Sequence, residues 1–438
     1  MYAFDLLKKI KIWLVAIYFV LLGWGNLFAN EDGVVKNALS LDDCISQALK
    51  NHPKISIYSH KIDQKKEKLR SVTSEYLPQA DIAASYDRLS YVTNLKRRYL
   101  GDSNDDYHAN VIITQPLFTG GKITSQKRSA RYAIDAAEFG VSAAREDVIY
   151  GVKSAYFKLL FVRDIMKSKE ELLKYAQLSY NTALELHKRT KIPREEVLLR
   201  LEVQLNEVKQ ELIAALEDLM IAQKALLNAM GLDSNGSIEV QDLEDDFFTT
   251  KDIVVDTANN LEILKLSKEL KEADEQIKIA KSGFYPQLNV RYSYGYEWGD
   301  WSQDGKTDWI AGVAINFNVW DWGKTKADVR QAKAHKEELQ SYKDLLSQQI
   351  GLELESARLE YESAFKRFEF AKMSFEQAKR SLDLFESRYR DTLVTSVELL
   401  DAQKAFSQAQ VNFALAKLDM RLAKAQIEKI AGKGYEPK

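Results

Sequence analysis

The sequence carries one cysteine, Cys44, in 438 residues, so no disulfide can form within the chain. Its five histidines are scattered, and neither His-x-x-x-His nor Cys-x-x-Cys spacing occurs, so no metal site is expected. An excess of one charge is missing too. The 62 basic and 64 acidic side chains leave a net charge of -2, which offers no bulk attraction for nucleic acid. No set of acids, bases and nucleophiles has the spacing of a catalytic constellation, so neither an enzyme activity nor a cofactor is expected. Six prolines and 19 glycines are thin punctuation, and they leave long stretches of Ala, Leu, Glu, Lys and Gln that favour helix.

The N-terminus differs. Lys8, Lys9 and Lys11 precede the apolar run "IWLVAIYFVLLGWGNLFA", which stops at the polar "NEDG". That order is the layout of a secretory signal peptide over residues 1–29, with cleavage near Ala29. At about 18 residues the run also approaches the length of a membrane anchor, which is the alternative reading. Cys44 lies well past the run, in "SLDDCISQ", and reads as a residue on a helix face rather than a lipid anchor.

Where proline and glycine do fall, they mark the same events twice. "EYLPQADIAASY" at 75–86 is echoed by "GFYPQLNVRYSY" at 283–294, and "PLFTGGKITSQKRSA" at 116–130 by "NVWDWGKTKADVRQA" at 318–332. "AMGLD" around Gly231 returns as "IAGKG" around Gly432. The offsets, about 208, 202 and 201 residues, predict an internal duplication. Residues 30–230 form the first repeat, 231–256 an acidic equatorial connector with one short strand near Ile238–Val240, 257–432 the second repeat and 433–438 a tail. The connector's composition also suits a disordered linker.

Each repeat reads as helix, strand hairpin, very long helix, helix. From Lys122 to Lys188 there is no proline, and Ile134, Ala137, Val141, Ala144, Val148, Val152, Ala155, Leu159 and Val162 step by three or four, the spacing of a coiled coil. Its counterpart runs from Lys324 to Arg390. Each rod of about 67 residues would be about 100 Å long, and two stacked shorter helices per repeat would match it at about 93 Å. The last helix shows the cleanest seam, Leu399, Ala402, Phe406, Ala409, Phe413, Ala416, Met420, Ala423, Ile427 and Ile430.

Between these helices "YPQLNVRYSYGYEWG" alternates strictly. Leu288, Val290, Tyr292, Tyr294, Tyr296 and Trp298 fall on one face of a strand, and Asn289, Arg291, Ser293 and Glu297 on the other. Its partner begins at Asp308, with Trp309, Ala311, Val313, Ile315, Phe317 and Val319 on one face. The first repeat has weaker copies around 80–92 and 108–114. A soluble sheet would alternate in the same way. Tyr and Trp gathered at strand ends favour an outer-membrane barrel, with the apolar face toward lipid and the polar face toward the lumen. Four strands cannot close a barrel and open edges cannot stand in lipid, so the chain must oligomerise, and three copies supply twelve strands. The fold class expected is therefore mainly α with a transmembrane β-barrel.

These features, with "SLDDCISQALKNHPKI", "YLPQ", "FYPQL" and "LLDAQKAFSQAQVNFALAKLDM", resemble the TolC-like outer-membrane efflux proteins over residues 40–432. The resemblance implies a homotrimer in the outer membrane, with a twelve-stranded barrel continued by an α-helical tunnel through the periplasm. It also implies a passive exit duct for efflux or type I secretion, joined by a periplasmic adaptor protein to an inner-membrane pump of RND, ABC or MFS type. In the family a tyrosine, an arginine and acidic residues hold the periplasmic tip closed. The matching stretch "RYRDTLVTSVELLDA" puts Tyr389, Glu398 and Asp401 at such positions. Val394 stands at the basic position and Thr392 at the turn glycine, with Arg388 and Arg390 near enough to substitute. Glu195 and Glu196 occupy the other tip. Each of these charges also fits a solvated helix tip. A periplasmic coiled-coil scaffold without a pore is the competing function.

Overall fold

The structure, a computed structural model, describes residues 38–94, 97–98, 102–191, 194–234, 236, 238–243, 259–299, 305–390 and 393–432. The N-terminal apolar run, most of the connector, the tail, Pro193 and Thr392 lie outside the described residues. The chain order is α1 (Leu41–Asn51), α2 (Pro53–Ser74), β1 (Gln79–Arg88), β2 (Asp105–Phe118), α3 (Lys122–Thr190) and α4 (Glu195–Ala229). The second half follows as α5 (Leu261–Lys281), β3 (Gln287–Trp298), β4 (Lys306–Asn316), α6 (Lys324–Arg390) and α7 (Ser396–Ile430). No described helix is long and apolar enough to cross a membrane.

Local chemistry sets the boundaries. Ser40 and Asp43 cap α1 reciprocally, and Pro53 opens α2, where its missing N–H costs nothing. The α3 helix starts after Gly121 in a left-handed conformation and ends at Lys191, also left-handed, whose N–H closes on the His187 carbonyl. With no proline between them, α3 runs 69 residues and α6 runs 67, about 100 Å each at about 1.5 Å per residue. Along α3 pack α2 (22 residues) and α4 (35 residues), and along α6 pack α5 (21 residues) and α7 (35 residues).

The expected stripe on α3 is buried at Val141, Ala144, Val148, Val152, Leu159 and Val162. A second stripe, Ile149, Tyr156 and Leu160, is buried as well, because α3 touches α1, α2, α4, α5 and α7 and no single seam can serve five neighbours. Around Tyr156 the largest core joins α1, α3, α4, the C-terminal part of α7 and the connector residues Ile238 and Val240. The short strand expected there is a single parallel bridge, Leu39 to Val240. The second core joins α6 to α7 through Leu354, Tyr361, Phe368, Met420 and Ile427. Ion pairs tie the halves together. Asp147 of α3 receives Lys54 at 2.7 Å and Lys429 at 2.8 Å, and Lys153 meets Glu428 at 2.7 Å.

All four strands form one antiparallel sheet in the order β1-β2-β3-β4, which leaves β1 and β4 as open edges. The β4 strand begins two residues before Asp308 and stops at Asn316, three short of Val319.

Candidate functional site

The sheet is the first candidate surface. Register places Tyr86 beside Tyr107, Tyr107 beside Trp298, and Tyr294 beside Trp309. The rings touch in series: Tyr86 and Tyr107 have centroids 4.9 Å apart, and Tyr107 stacks on Trp298 at 5.4 Å. Leu288, Val290, Tyr292, Tyr294, Tyr296 and Trp298 share this face with Ile82, Val111, Ile113, Val313 and Ile315 across the sheet. Tyr292, Tyr294 and Tyr296 are exposed in the single chain.

The opposite face is mainly polar, with Ile112 and Ile310 flanking Ser293. It carries Asn289, Arg291, Ser293 and Glu297 of β3 together with Asp87, Asp106, His108, Asn110, Lys306 and Asp308 of the neighbouring strands. The side-chain oxygens of Asn110 and Asp308 close over Gly295, so a Cβ there would require them to move. At the loop end of this face His108 lies 3.1 Å from Asp106, and one ligand atom each from Asp106, His108 and Glu297 falls within 4.8 Å of the other two. The set was not legible in the sequence. His108 and Glu297 come together only through the β2–β3 register, although the i, i+2 spacing of Asp106 and His108 was a partial signal.

The second candidate surface is the far end of the rods. There Tyr389 is half-buried against a cluster of Leu382, Leu399, Ala402 and Phe406. Arg388 and Asp401 are exposed. The side chain of Arg390 lies outside the described residues, and Val394 is half-buried. Glu195 and Glu196 sit exposed in the first turn of α4, where the helix dipole favours negative charge. Glu398 has a definite task. Its carboxylate accepts the Thr395 N–H at 2.7 Å and hydroxyl at 2.8 Å, while its own N–H donates to Thr395 Oγ1 at 3.3 Å. These bonds, the backbone one foremost, hold its carboxyl below the ordinary range. Glu398 thus serves as the α7 cap, and both it and Asp401 are exposed to solvent.

One feature of this end was missed from the sequence. Gln403, 2% exposed, donates to Ser179 Oγ of α3 at 3.5 Å, and Gln410, seven residues on, accepts from Ser168 of α3 at 2.8 Å. The heptad spacing of the two glutamines on α7 was the available signal. Leu399 faces α6 while Leu400 packs with Ala183 and Leu201, so α7 joins the two rods at their tips.

A long-rod fold ending in a small amphipathic sheet can be compared with known proteins. The sequence model of the family described as outer membrane efflux protein matches residues 44–232 and 256–433. The chain belongs to that family. The outer membrane efflux protein BepC of Brucella suis biovar 1 (strain 1330) is 25% identical over 189 residues, which is 42% of this chain and 40% of that protein. The match thus spans about two-fifths of this relative's length. Among solved structures, the CmeC outer membrane channel of Campylobacter jejuni superposes with a TM-score of 0.77 at 20% identity, covering 90% of this chain and 86% of CmeC. The outer membrane protein VceC of Vibrio cholerae gives 0.76 at 17% identity, covering 90% of this chain and 97% of VceC. At these identities the likeness establishes the efflux-protein fold.

Proposed function

We propose that the chain is one third of a trimeric outer-membrane channel-tunnel, a passive exit duct that carries small molecules or proteins across the periplasm and outer membrane. One observation carries the reading. A four-stranded sheet with two unpaired edges and one predominantly apolar, aromatic face continues directly into rods about 100 Å long. Three copies make twelve strands, an even number within the range of known barrels. Family membership and the likeness to CmeC and VceC support it.

In this reading Leu288, Val290, Tyr292, Tyr294, Tyr296 and Trp298 face outer-membrane lipid, while Asn289, Arg291, Ser293 and Glu297 line the water-filled lumen. The rod tips stand in the periplasm, where an adaptor protein connects them to an inner-membrane pump of RND, ABC or MFS type. Tyr389, Arg388, Arg390, Asp401, Glu195 and Glu196 form the entrance, with Glu398 fixing the start of α7. No residue performs bond chemistry, and no cofactor takes part.

Single cysteines along β3 test the reading in intact outer membranes. A membrane-impermeant thiol reagent is expected to label positions 289, 291 and 293, and a lipid-dissolved reagent positions 288, 290 and 292. Recovery of the protein in the soluble periplasm, or labelling without that alternation, would favour the scaffold reading.

A further inference from the structure

The duplication fixes more than the fold. Moving β1 by the Pro78–Pro286 offset and β2 by the Gly121–Gly323 offset converts the β1–β2 register into the β3–β4 register. Ala83 opposite Asn110 becomes Arg291 opposite Gly312, which is the pairing found. Helix chemistry follows the same rule. Lys278 bonds Glu275 on α5 at 2.7 Å, and at the equivalent place on α2 Arg70 bonds Glu67 at 2.7 Å.

Within the chain the repeats meet where β2 lies on β3 and α3 lies on α5 and, further along, on α7. There Arg128 of α3 completes the α5 pair, its Nε 2.9 Å from Glu275, which is left 5% exposed. Applying the offsets to this seam gives a second one, β4 on β1 and α6 on α2 and α4, between elements at opposite edges of the chain. Those edges look unfinished. Glu67 is 64% exposed, and Leu199, the counterpart of the 7% exposed Leu400, is 57% exposed. The β2 strand, paired on both sides, runs to Phe118, whereas β4, paired on one, stops short of the equivalent Trp320.

We propose that the next copy of this chain closes these edges in the register the duplication dictates, with Arg330 of one copy bonded to the preassembled Glu67–Arg70 pair of the next. On the sheet, Ile315 of β4 then stands opposite Ala84 of the next copy's β1, as Ile113 stands opposite Tyr292 within the chain. Both residues lie on the apolar face, so the register keeps lipid face beside lipid face. The occupant is fixed by charge: Arg330 of α6 meets a carboxylate already flanked by one cation, as Arg128 meets the Lys278-flanked Glu275 buried at the internal seam. The inference rests on the ring reading above and adds which groups hold the ring and in what register.

The two seams differ at one shoulder. Gly120, at φ 64°, lies so close to the turn that follows α5 that a Cβ would come within 2.8 Å of the Tyr285 Cβ and 2.9 Å of the Ser282 carbonyl. Its counterpart Trp322 keeps the left-handed backbone at φ 55° but bears an indole that is 89% exposed. The seam between copies is therefore wider there, with Trp322 wedged against the next copy's Leu77, which is 60% exposed in the single chain.

Charge reversal and cysteine pairing test the proposal on the full-length protein extracted in mild detergent. Glu67→Arg and Arg330→Glu should each speed trimer dissociation roughly thirtyfold, as losing one partner of a desolvated charge pair does. The triple inversion Glu67→Arg, Arg70→Glu, Arg330→Glu should restore it. Ile315→Cys with Ala84→Cys should give disulfide-linked trimers, while Ile315→Cys with Tyr86→Cys should not; Cys44 is fully buried and stays out of the reaction. A trimer unmoved by both single reversals, or cross-linked in the displaced pair, overturns the proposed seam and leaves the ring reading standing. A wild-type protein that is not trimeric before any substitution overturns both.

Discussion

Glu398 separates two accounts of the rod tip, and substitution there can be worked through in numbers. If the residue acts as the α7 cap, Glu398→Gln keeps an acceptor at the third helical position, where the capping box accepts glutamine as well as glutamate. The loss is then confined to a favourable charge at a helix start, which solvent screens. Thr395→Ala removes the one hydroxyl that both receives the Glu398 N–H and donates to its carboxylate, at about 1 kcal/mol, or about fivefold more frequent opening of the first turn. Hydrogen exchange of amides 397–399 reads the opening, and single-channel conductance reads the entrance. Thr395→Ala should exchange about fivefold faster, and Glu398→Gln should change conductance little, whereas Asp401→Asn, at the exposed acid, should raise it. A conductance increase in Glu398→Gln matching that of Asp401→Asn would show that Glu398 closes the entrance and would refute the cap account. The cap also carries a pH signature. Because the folded carboxyl sits below its unfolded value, its contribution is full above the ordinary carboxylate range and fades as pH falls through the lowered value.

Two further expectations concern the core. Tyr156 is fully buried and its hydroxyl donates to the Gln241 carbonyl at 2.8 Å, so Tyr156→Phe should lower stability by about 1 to 3 kcal/mol and speed exchange at 238–243; a neutral result in both would mean that the connector is not clamped there. Burial opposes ionisation of Asp147, yet Lys429 and Lys54 hold its carboxyl below the ordinary range, so its contribution should be full above the ordinary aspartate value and fade as pH falls through the lowered one. Asp147→Asn should then flatten the acid limb of a melting-temperature profile, and an unchanged limb would show that the bridge is not coupled to folding.

Much of this was legible in the chain because the physics was local. Pro53, Gly121 and the proline-free stretches set helix ends to within a few residues, and strict alternation at 287–298 gave both faces of β3. What escaped depended on partners distant in sequence. The second buried stripe of α3 exists because five helices surround it, and the Asp106–His108–Glu297 group exists because strands nearly 190 residues apart pair in one register. The early end of β4 reflects an edge without a neighbour in the chain. The cap at Thr395–Glu398 was readable as a capping box, but the same acid also suited a closing network, and the three bonds establish the cap.

The central claim, that copies of this chain enclose a continuous aqueous path, is tested most directly by measuring conductance across a planar bilayer with protein whose mass in detergent has been determined. The account predicts a trimer that produces discrete, lasting conductance steps. A monomer, or a trimer that leaves the bilayer electrically silent at every voltage and salt concentration tried, would contradict it.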